Sequence, residues 1–266
     1  MKKEILNAEE VFHDQWANSI RLEDVLVDEA FEACTSPENR QIKKWVKSFK
    51  GKKILELGCG FGESSVYMAK KGGDVTATDL SAGMLQLAEK VAAYHGTHIK
   101  TVKCSADKLP FANDSFDMVY AANVLHHVDI QAALTECYRV LRKGGVLVSC
   151  DPIDYNPVIK IYRKMASEVR TTDEHPLKRK DIKLFQKYFH TVAYKGKWFF
   201  TNWIFIKFYL FDHIDPGKER YWKLILKRNK ELEPLYTKLE KMDRKVLSWC
   251  PWLKWLCWNM VVIARK

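Results

Sequence analysis

The residues with the clearest chemical potential open in Lys53-Ile54-Leu55-Glu56-Leu57-Gly58-Cys59-Gly60-Phe61-Gly62. There a short apolar run breaks into three glycines spaced two apart, and an isolated acid follows at Asp79. A strand that feeds a glycine loop and then a helix brings bare backbone against a ligand. A carboxylate at the end of the next strand can accept hydrogen bonds from a ribose diol. The spacing therefore predicts a site for a nucleoside-bearing cofactor. A dinucleotide fingerprint would carry its third glycine where this chain has Glu63, at the opening of the next helix. A carboxylate is unfavourable beside a pyrophosphate at a helix N-terminus, so the expected cofactor lacks a diphosphate.

Four segments in register extend this reading. Glu56-Leu57-Gly58-Cys59-Gly60-Phe61-Gly62 resembles the first motif of the class I S-adenosylmethionine-dependent methyltransferases, and Val75-Thr76-Ala77-Thr78-Asp79-Leu80-Ser81 the second. Ser105-Ala106-Asp107-Lys108-Leu109-Pro110-Phe111 resembles the third, and Ser115-Phe116-Asp117-Met118-Val119-Tyr120 with Asn123-Val124-Leu125-His126-His127 the fourth. Together they are similar to the branch that includes the ubiquinone and menaquinone C-methylases, the type 11 methyltransferases, over roughly residues 50 to 150.

The resemblance implies roles. Gly58, Gly60 and Gly62, with Cys59 among them, let the loop approach the methionine and ribose portions of S-adenosylmethionine, and Glu56 orders that loop or its bound water. Asp79, followed by Leu80, holds the ribose hydroxyls. Asp107 accepts from the adenine amino group, with Ala106 and Leu109 beside the ring, and Asn123 faces the methionyl end. Trp16 closes over the cofactor, as N-terminal aromatics do in similar enzymes, or else packs in the core. His126 and His127 follow the fourth strand at the carboxyl edge of the sheet, where ligands bind, and are the candidates for acid-base work; the alternative is that they shape the pocket. No His, Cys or Asp cluster shows metal-ligand spacing along the chain, so no metal site is expected. Methyl transfer is an in-line displacement from a sulfonium, and positioning with exclusion of water supplies much of its acceleration.

The elements that must position these residues follow from periodicity. Strands are predicted near 53–57, 74–79, 99–103, 116–120 and 146–150, with helices near 62–71, 83–95 and 130–141 between them. Gly96 and Gly144-Gly145 read as left-handed ends of two of these helices. Residues 191–200 read as a sixth strand and 259–264 as a seventh. The expected fold is a doubly wound, Rossmann-like α/β sheet of seven mostly parallel strands. Residues 1–50 read as a helical cap, with Thr35 and Glu38 as a capping box. The expected core is 51–200 with 259–266, interrupted by a helical, aromatic-rich insertion at 201–258.

Composition bounds the rest. The 266 residues are 47% hydrophobic, ample for a core. The N-terminus turns polar at once, so neither a signal peptide nor a spanning helix is expected there. Seven cysteines, odd in number and without CxxC spacing, argue for a reducing, cytoplasmic setting. Residues 1–156 hold 19 Lys and Arg against 22 Asp and Glu, whereas 157–266 hold 25 against 11. The formal charge of +11 thus belongs to the C-terminal part.

That asymmetry and the aromatic run Trp203-Ile204-Phe205-Ile206-Lys207-Phe208-Tyr209-Leu210-Phe211 favour a small acceptor, apolar or amphiphilic and open to being anionic, under a lid. Simple packing of those aromatics against the sheet is the competing reading. Trp249, Trp252, Trp255 and Trp258 among lysines offer a peripheral membrane contact as a third. Two rival functions are weighed: an RNA methyltransferase using the basic part, and a non-catalytic cofactor-binding scaffold. Nucleic acid is disfavoured because the fourth motif is not of the Asn-Pro-Pro-Tyr type. The transferred group's destination on oxygen, nitrogen or carbon, and the oligomeric state, are not encoded in these patterns.

Overall fold

The computed structural model describes residues 11, 13, 14, 16–166 and 174–266. Seven strands form one sheet: β1 (Lys53–Leu57), β2 (Asp74–Asp79), β3 (Lys100–Lys103), β4 (Phe116–Ala122), β5 (Leu141–Pro152), β6 (Thr191–Lys197) and β7 (Asn259–Arg265). Their order is β3-β2-β1-β4-β5-β7-β6, and β7 alone runs antiparallel, between β5 and β6. The chain winds outward from β1 through β2 to β3, then returns to β4 beside β1 and winds the other way. The crevice outside the carboxyl ends of β1 and β4 is the switch point at which such sheets bind ligands.

Why these strands lie at the centre is visible in their residues. Ile54, Leu55 and Leu57 of β1 and Met118 and Val119 of β4 are fully buried, because helices cover both faces. On one face Ile54 and Met118 pack with Val66 and Met68 of α3 (Glu63–Lys70) and Met84 and Val91 of α4 (Ala82–Tyr94). On the other, Leu55 and Val119 pack with Leu134 and Cys137 of α5 (Ile130–Val140) and Phe185 of α7 (Arg179–Tyr188). Between those last two helices lies α6 (Pro157–Met165).

The helix starts are chemically defined. Ser81 Oγ accepts from the Met84 N–H at the head of α4, Asp129 accepts from the N–H groups of Gln131 and Ala132 at α5, and Asn156 from those of Val158 and Ile159 at α6. Each such cap contributes about 1 kcal/mol.

Two local expectations are corrected. The capping box of Thr35 and Glu38 does not form: α2 (Pro37–Val46), which follows the short α1 (Glu29–Glu32), begins after Ser36 without a side-chain cap. The Thr35 hydroxyl donates instead to the Ile225 carbonyl at 3.2 Å, and Glu38 accepts from Asn259 Nδ2 at 2.8 Å. Tertiary partners outcompete the local ones. Gly144-Gly145 do not end a helix either; α5 stops at Val140, and both glycines lie inside β5, at a bend that Gly144 makes with φ 78°.

Residues 201–258 are helical, in α8 (Trp203–Leu210), α9 (Tyr221–Lys227) and α10 (Asn229–Trp249) with a 3-10 segment after them. Asp243 of α10 pins the insertion to the end of β6 by accepting from the Phe200 N–H at 2.5 Å and the Thr201 hydroxyl at 2.8 Å. A separate aromatic cluster, with Tyr162, Trp198, Phe205, Tyr221 and Tyr236, forms its core. Among the described residues no helix is long and apolar enough to cross a membrane.

Candidate cofactor edge and acceptor cavity

The glycine loop leaves β1 in a conformation only glycine adopts without strain. Gly58, Gly60 and Gly62 have φ of 60°, 50° and 83°. At Gly58 a Cβ would stand 2.4 Å from Val124 Cγ2, and at Gly62 one would stand 2.7 Å from Ala88 Cβ, so the loop is pressed against the exit of β4 and against α4. Gly60 differs, having nothing within 4 Å of where its Cβ would be. The loop presents bare backbone to open space at that one point.

Asp79, at the end of β2, stands beside it. Its Oδ2 accepts from the Gly60 N–H at 3.0 Å and its Oδ1 from the Ser81 N–H at 2.9 Å. Each oxygen keeps a lone pair for a further donor. Burial raises the Asp79 carboxyl above its ordinary range, opposed by those two N–H groups. The Cys104 N–H donates to the Asp79 carbonyl at 3.2 Å, which draws the loop after β3 alongside. In that loop Ala106 and Leu109 are buried, and half-buried Asp107 accepts from Ser105 Oγ at 2.5 Å.

Glu56 lies behind the loop rather than in front of it. It is buried and accepts from the Ser65 hydroxyl of α3, and burial pushes its carboxyl up to about 8. Its position suits ordering the loop. Cys59 is also buried, its N–H bonded to the Thr78 carbonyl at 2.8 Å, and Leu80 is half-buried beyond Asp79. An open backbone cradle at Gly60 with an acid at its side fits a ribose-bearing cofactor without a diphosphate.

The N-terminal segment covers this edge. Asp14 Oδ1 accepts from Ser81 Oγ at 2.5 Å and from the Gly83 N–H at 2.9 Å, and these bonds, the hydroxyl first, hold its carboxyl below the ordinary range. Trp16 then meets Phe61 of the glycine loop edge to face, centroids 4.6 Å apart. The insertion clamps the pair. The Arg220 guanidinium stands 3.5 Å over the Trp16 ring, Lys223 Nζ lies 4.3 Å over Phe61, and Lys223 also pairs with Glu63.

Beside this edge, at the carboxyl ends of β4 and β5, is a cavity of about 310 Å³. It is lined by Tyr120, Ala122, Asn123 and Pro152 and by Trp16 and Arg220, the pair that also meets the glycine loop at Phe61. Asn123 holds a left-handed φ of 58°, a conformation that asparagine adopts more readily than other non-glycine residues. Its N–H donates to the Cys150 carbonyl at 2.7 Å. The Tyr120 hydroxyl donates to Asn39 Oδ1 at 2.7 Å. The far wall is aromatic, with Trp198, Trp222 and Trp258.

The lid expectation is corrected in one respect: none of residues 203–211 lines the cavity. Ile204, Phe205 and Phe208 are core, while Trp203, Leu210 and Phe211 face outward. The insertion reaches the cavity through α9, with Trp222, Ile225 and Leu226, and through Trp258. Of the other three tryptophans, Trp249 and Trp252 are exposed and Trp255 packs near Tyr155 and Tyr194.

His126 and His127 both line the cavity, their rings 4.1 Å apart. His126 is buried, and its Nδ1 lies 2.9 Å from Asp151 Oδ1 at the end of β5. Burial pushes the Asp151 carboxyl up to about 8. Glu174, between α6 and α7 in the chain, joins them, paired with Arg163 of α6 at 2.7 Å. One ligand atom from each of His126, His127 and Glu174 falls within 4.8 Å of the others. The expectation of no metal site rests on spacing along the chain; the fold brings these three groups together from positions far apart in sequence.

Sequence reasoning missed Glu38, Asn39, Asp151, Glu174, Arg220 and Trp222. Asp151 had a signal, an acid at the carboxyl end of a strand, as Asp79 is. The others had none, since each reaches the cavity only through long-range packing.

Residues 55–149 match the family described as "Methyltransferase domain". A demethylmenaquinone methyltransferase of Mycobacterium marinum is 43% identical over 102 residues, 38% of this chain and 42% of that protein. The chain thus spans less than half the length of the curated relatives it matches. Among solved structures, a Thermotoga maritima protein described as a "SAM-dependent methyltransferase, possible histamine N-methyltransferase" superposes with a TM-score of 0.57 at 17% identity, over 95% of this chain and 97% of that one. The phosphoethanolamine N-methyltransferase 2 of Haemonchus contortus, in complex with S-adenosyl-L-methionine, does so with a TM-score of 0.57 at 18% identity, over 86% of this chain and 52% of that one. The chain shares the fold of these structures, and residues 55–149 match the methyltransferase-domain family.

Proposed function

We propose that the chain transfers the methyl group of S-adenosylmethionine to a small apolar or amphiphilic acceptor held in the cavity beside the glycine loop. The observation that carries this reading is the adjacency of two different surfaces at the ends of β1 and β4: a backbone cradle at Gly60 with Asp79, and an aromatic-walled cavity that begins at Asn123 and Trp16. In this reading Asp79 holds the ribose, and Asp107 takes the adenine amino group with Ala106 and Leu109 beside the ring. Asn123 meets the methionyl end where cradle and cavity join. The bound cofactor supplies an electrophilic methyl carbon. The chain's own residues orient the acceptor toward it and exclude water, Trp16 and Arg220 by covering the cleft and the tryptophan wall by desolvating the acceptor. His126 and His127 act on the acceptor side.

An apolar acceptor is favoured by the three indoles of the far wall and by the relative named for a demethylmenaquinone substrate. Incubation of the full chain with S-adenosylmethionine and a panel of quinols, prenylated phenols and acyl amphiphiles should give S-adenosylhomocysteine at a rate above the acceptor-free control. Calorimetric binding of the cofactor without turnover on any class of acceptor would favour the non-catalytic scaffold. Absence of cofactor binding would end the proposal.

A further inference from the structure

We propose that His126, His127 and Glu174 form a binding site for a first-row divalent cation, zinc or a neighbour of it, on the wall of the acceptor cavity. Two imidazoles and a carboxylate are a donor set that such ions take up readily, and three protein ligands leave coordination positions open, as in catalytic rather than structural sites. One donor atom from each residue falls within 4.8 Å of the other two, a spread that modest side-chain rotation converts to a shared ion. Magnesium and calcium, which prefer oxygen, fit this set poorly.

The residues behind the ligands have the expected form. With Nδ1 of His126 directed at Asp151 Oδ1, 2.9 Å away, its Nε2 is the atom that can ligate, and the carboxyl fixes the ring's orientation. Arg163 pairs with Glu174 Oε2 at 2.7 Å and so holds that carboxylate at the cavity wall. A second, independent observation lies behind the ligands. Asp151 is fully buried, and its Oδ2 has no hydrogen-bond partner among the described residues. An unpartnered buried carboxyl oxygen is unfavourable, and an ion on the far side of the His126 ring would strengthen the contact through which this carboxyl orients it.

All three ligands line the cavity, so the open positions of the ion face the acceptor. This further step rests on the methyl-transfer reading: an acceptor bound through the ion would ligate by a hydroxyl or enolic oxygen, which the ion would acidify toward the oxyanion.

The test uses the full chain, stripped with chelator and titrated with Co²⁺ and with Zn²⁺. One-to-one binding is expected, with Co²⁺ giving a visible d–d spectrum that Zn²⁺ displaces. His127→Ala and Glu174→Gln should each weaken Zn²⁺ binding by at least roughly tenfold and alter the spectrum, while both variants bind S-adenosylhomocysteine as the parent does. That last measurement reports folding and is independent of the ion. Wild-type protein that binds S-adenosylhomocysteine but neither metal at one equivalent, or variants that keep the parent's metal affinity, would overturn the cation site and leave the histidines as bare proton acceptors. Metal binding without S-adenosylhomocysteine binding would keep the site and overturn the methyl-transfer reading and the oxygen acceptor with it.

Discussion

The cofactor edge and the acceptor cavity lie side by side at the carboxyl ends of the same strands, yet they are built by opposite means. The first is backbone: three left-handed glycines, the Gly60 N–H, and one acid, all within a stretch from Glu56 to Ser81. The second is side chain, gathered from segments as distant as Glu38 and Asn259, 221 residues apart and bonded to each other. A cofactor common to many enzymes can be gripped by a geometry that side chains barely modify, whereas an acceptor is selected by what the walls are made of. The difference teaches where substitution should matter for each ligand.

If backbone shape alone sets the cradle, Gly58→Ala should be the most damaging single change. Its methyl would enter Val124, and its φ of 60° would strain any L-residue. Loss of S-adenosylhomocysteine affinity by roughly 100-fold, about 3 kcal/mol, is expected by calorimetry. Affinity within threefold of the parent would show that the cradle tolerates side chains after all.

Asp79→Asn removes the carboxylate beside Gly60 but keeps its shape. A roughly 30-fold weaker cofactor is expected, about 2 kcal/mol, for hydrogen bonds that lose a charged acceptor. An unchanged melting shift with ligand would move the ribose elsewhere.

Across the boundary, Trp222→Ala should raise KM for an apolar acceptor roughly tenfold through lost aromatic surface, with cofactor affinity unaltered. A cofactor defect of equal size would merge the two sites into one.

Smaller still is the clamp between them. Arg220→Ala deletes a cation–π contact worth about 1 kcal/mol, so cofactor affinity should fall roughly fivefold. Arg220→Lys should recover part of it, since a lysine still places a cation over Trp16; no recovery would assign the effect to the cavity wall instead.

The mildest effect is a slope with pH. Burial holds Glu56 protonated in the native state up to about 8, whereas the unfolded carboxyl titrates near 4.5. The folded form therefore binds the extra proton between those values, and stability falls as pH rises through that window. Thermal melting from pH 5 to 8 should decline less steeply in Glu56→Gln than in the parent; parallel slopes would mean that Glu56 is ionised in the fold.

The two regions also differ in how far they could be read in advance. All seven strands and the three central helices stood out in the pattern, because strands buried on both faces read as short continuous apolar runs and the helices that cover them keep a 3.6-residue period. Thr35 and Glu38 show the limit. Their spacing spelled a cap, but Ile225 and Asn259 offered better partners from the insertion and from β7. The aromatic run 203–211 shows another, since hydrophobicity marked it for burial without saying that it would pack the insertion's own core rather than line the cavity.

What the chain's order of residues settled was the glycine loop, the acid after β2, the sheet and the class of cofactor, because each depends on neighbours a few positions apart and on backbone that only glycine permits. What required the folded molecule was the meeting of His126, His127, Asp151 and Glu174, the clamp of Arg220 on Trp16, and the composition of the cavity wall. Those contacts close loops of tens to hundreds of residues, and no local propensity encodes them; they exist only once the hydrophobic sheet has fixed where every segment must return.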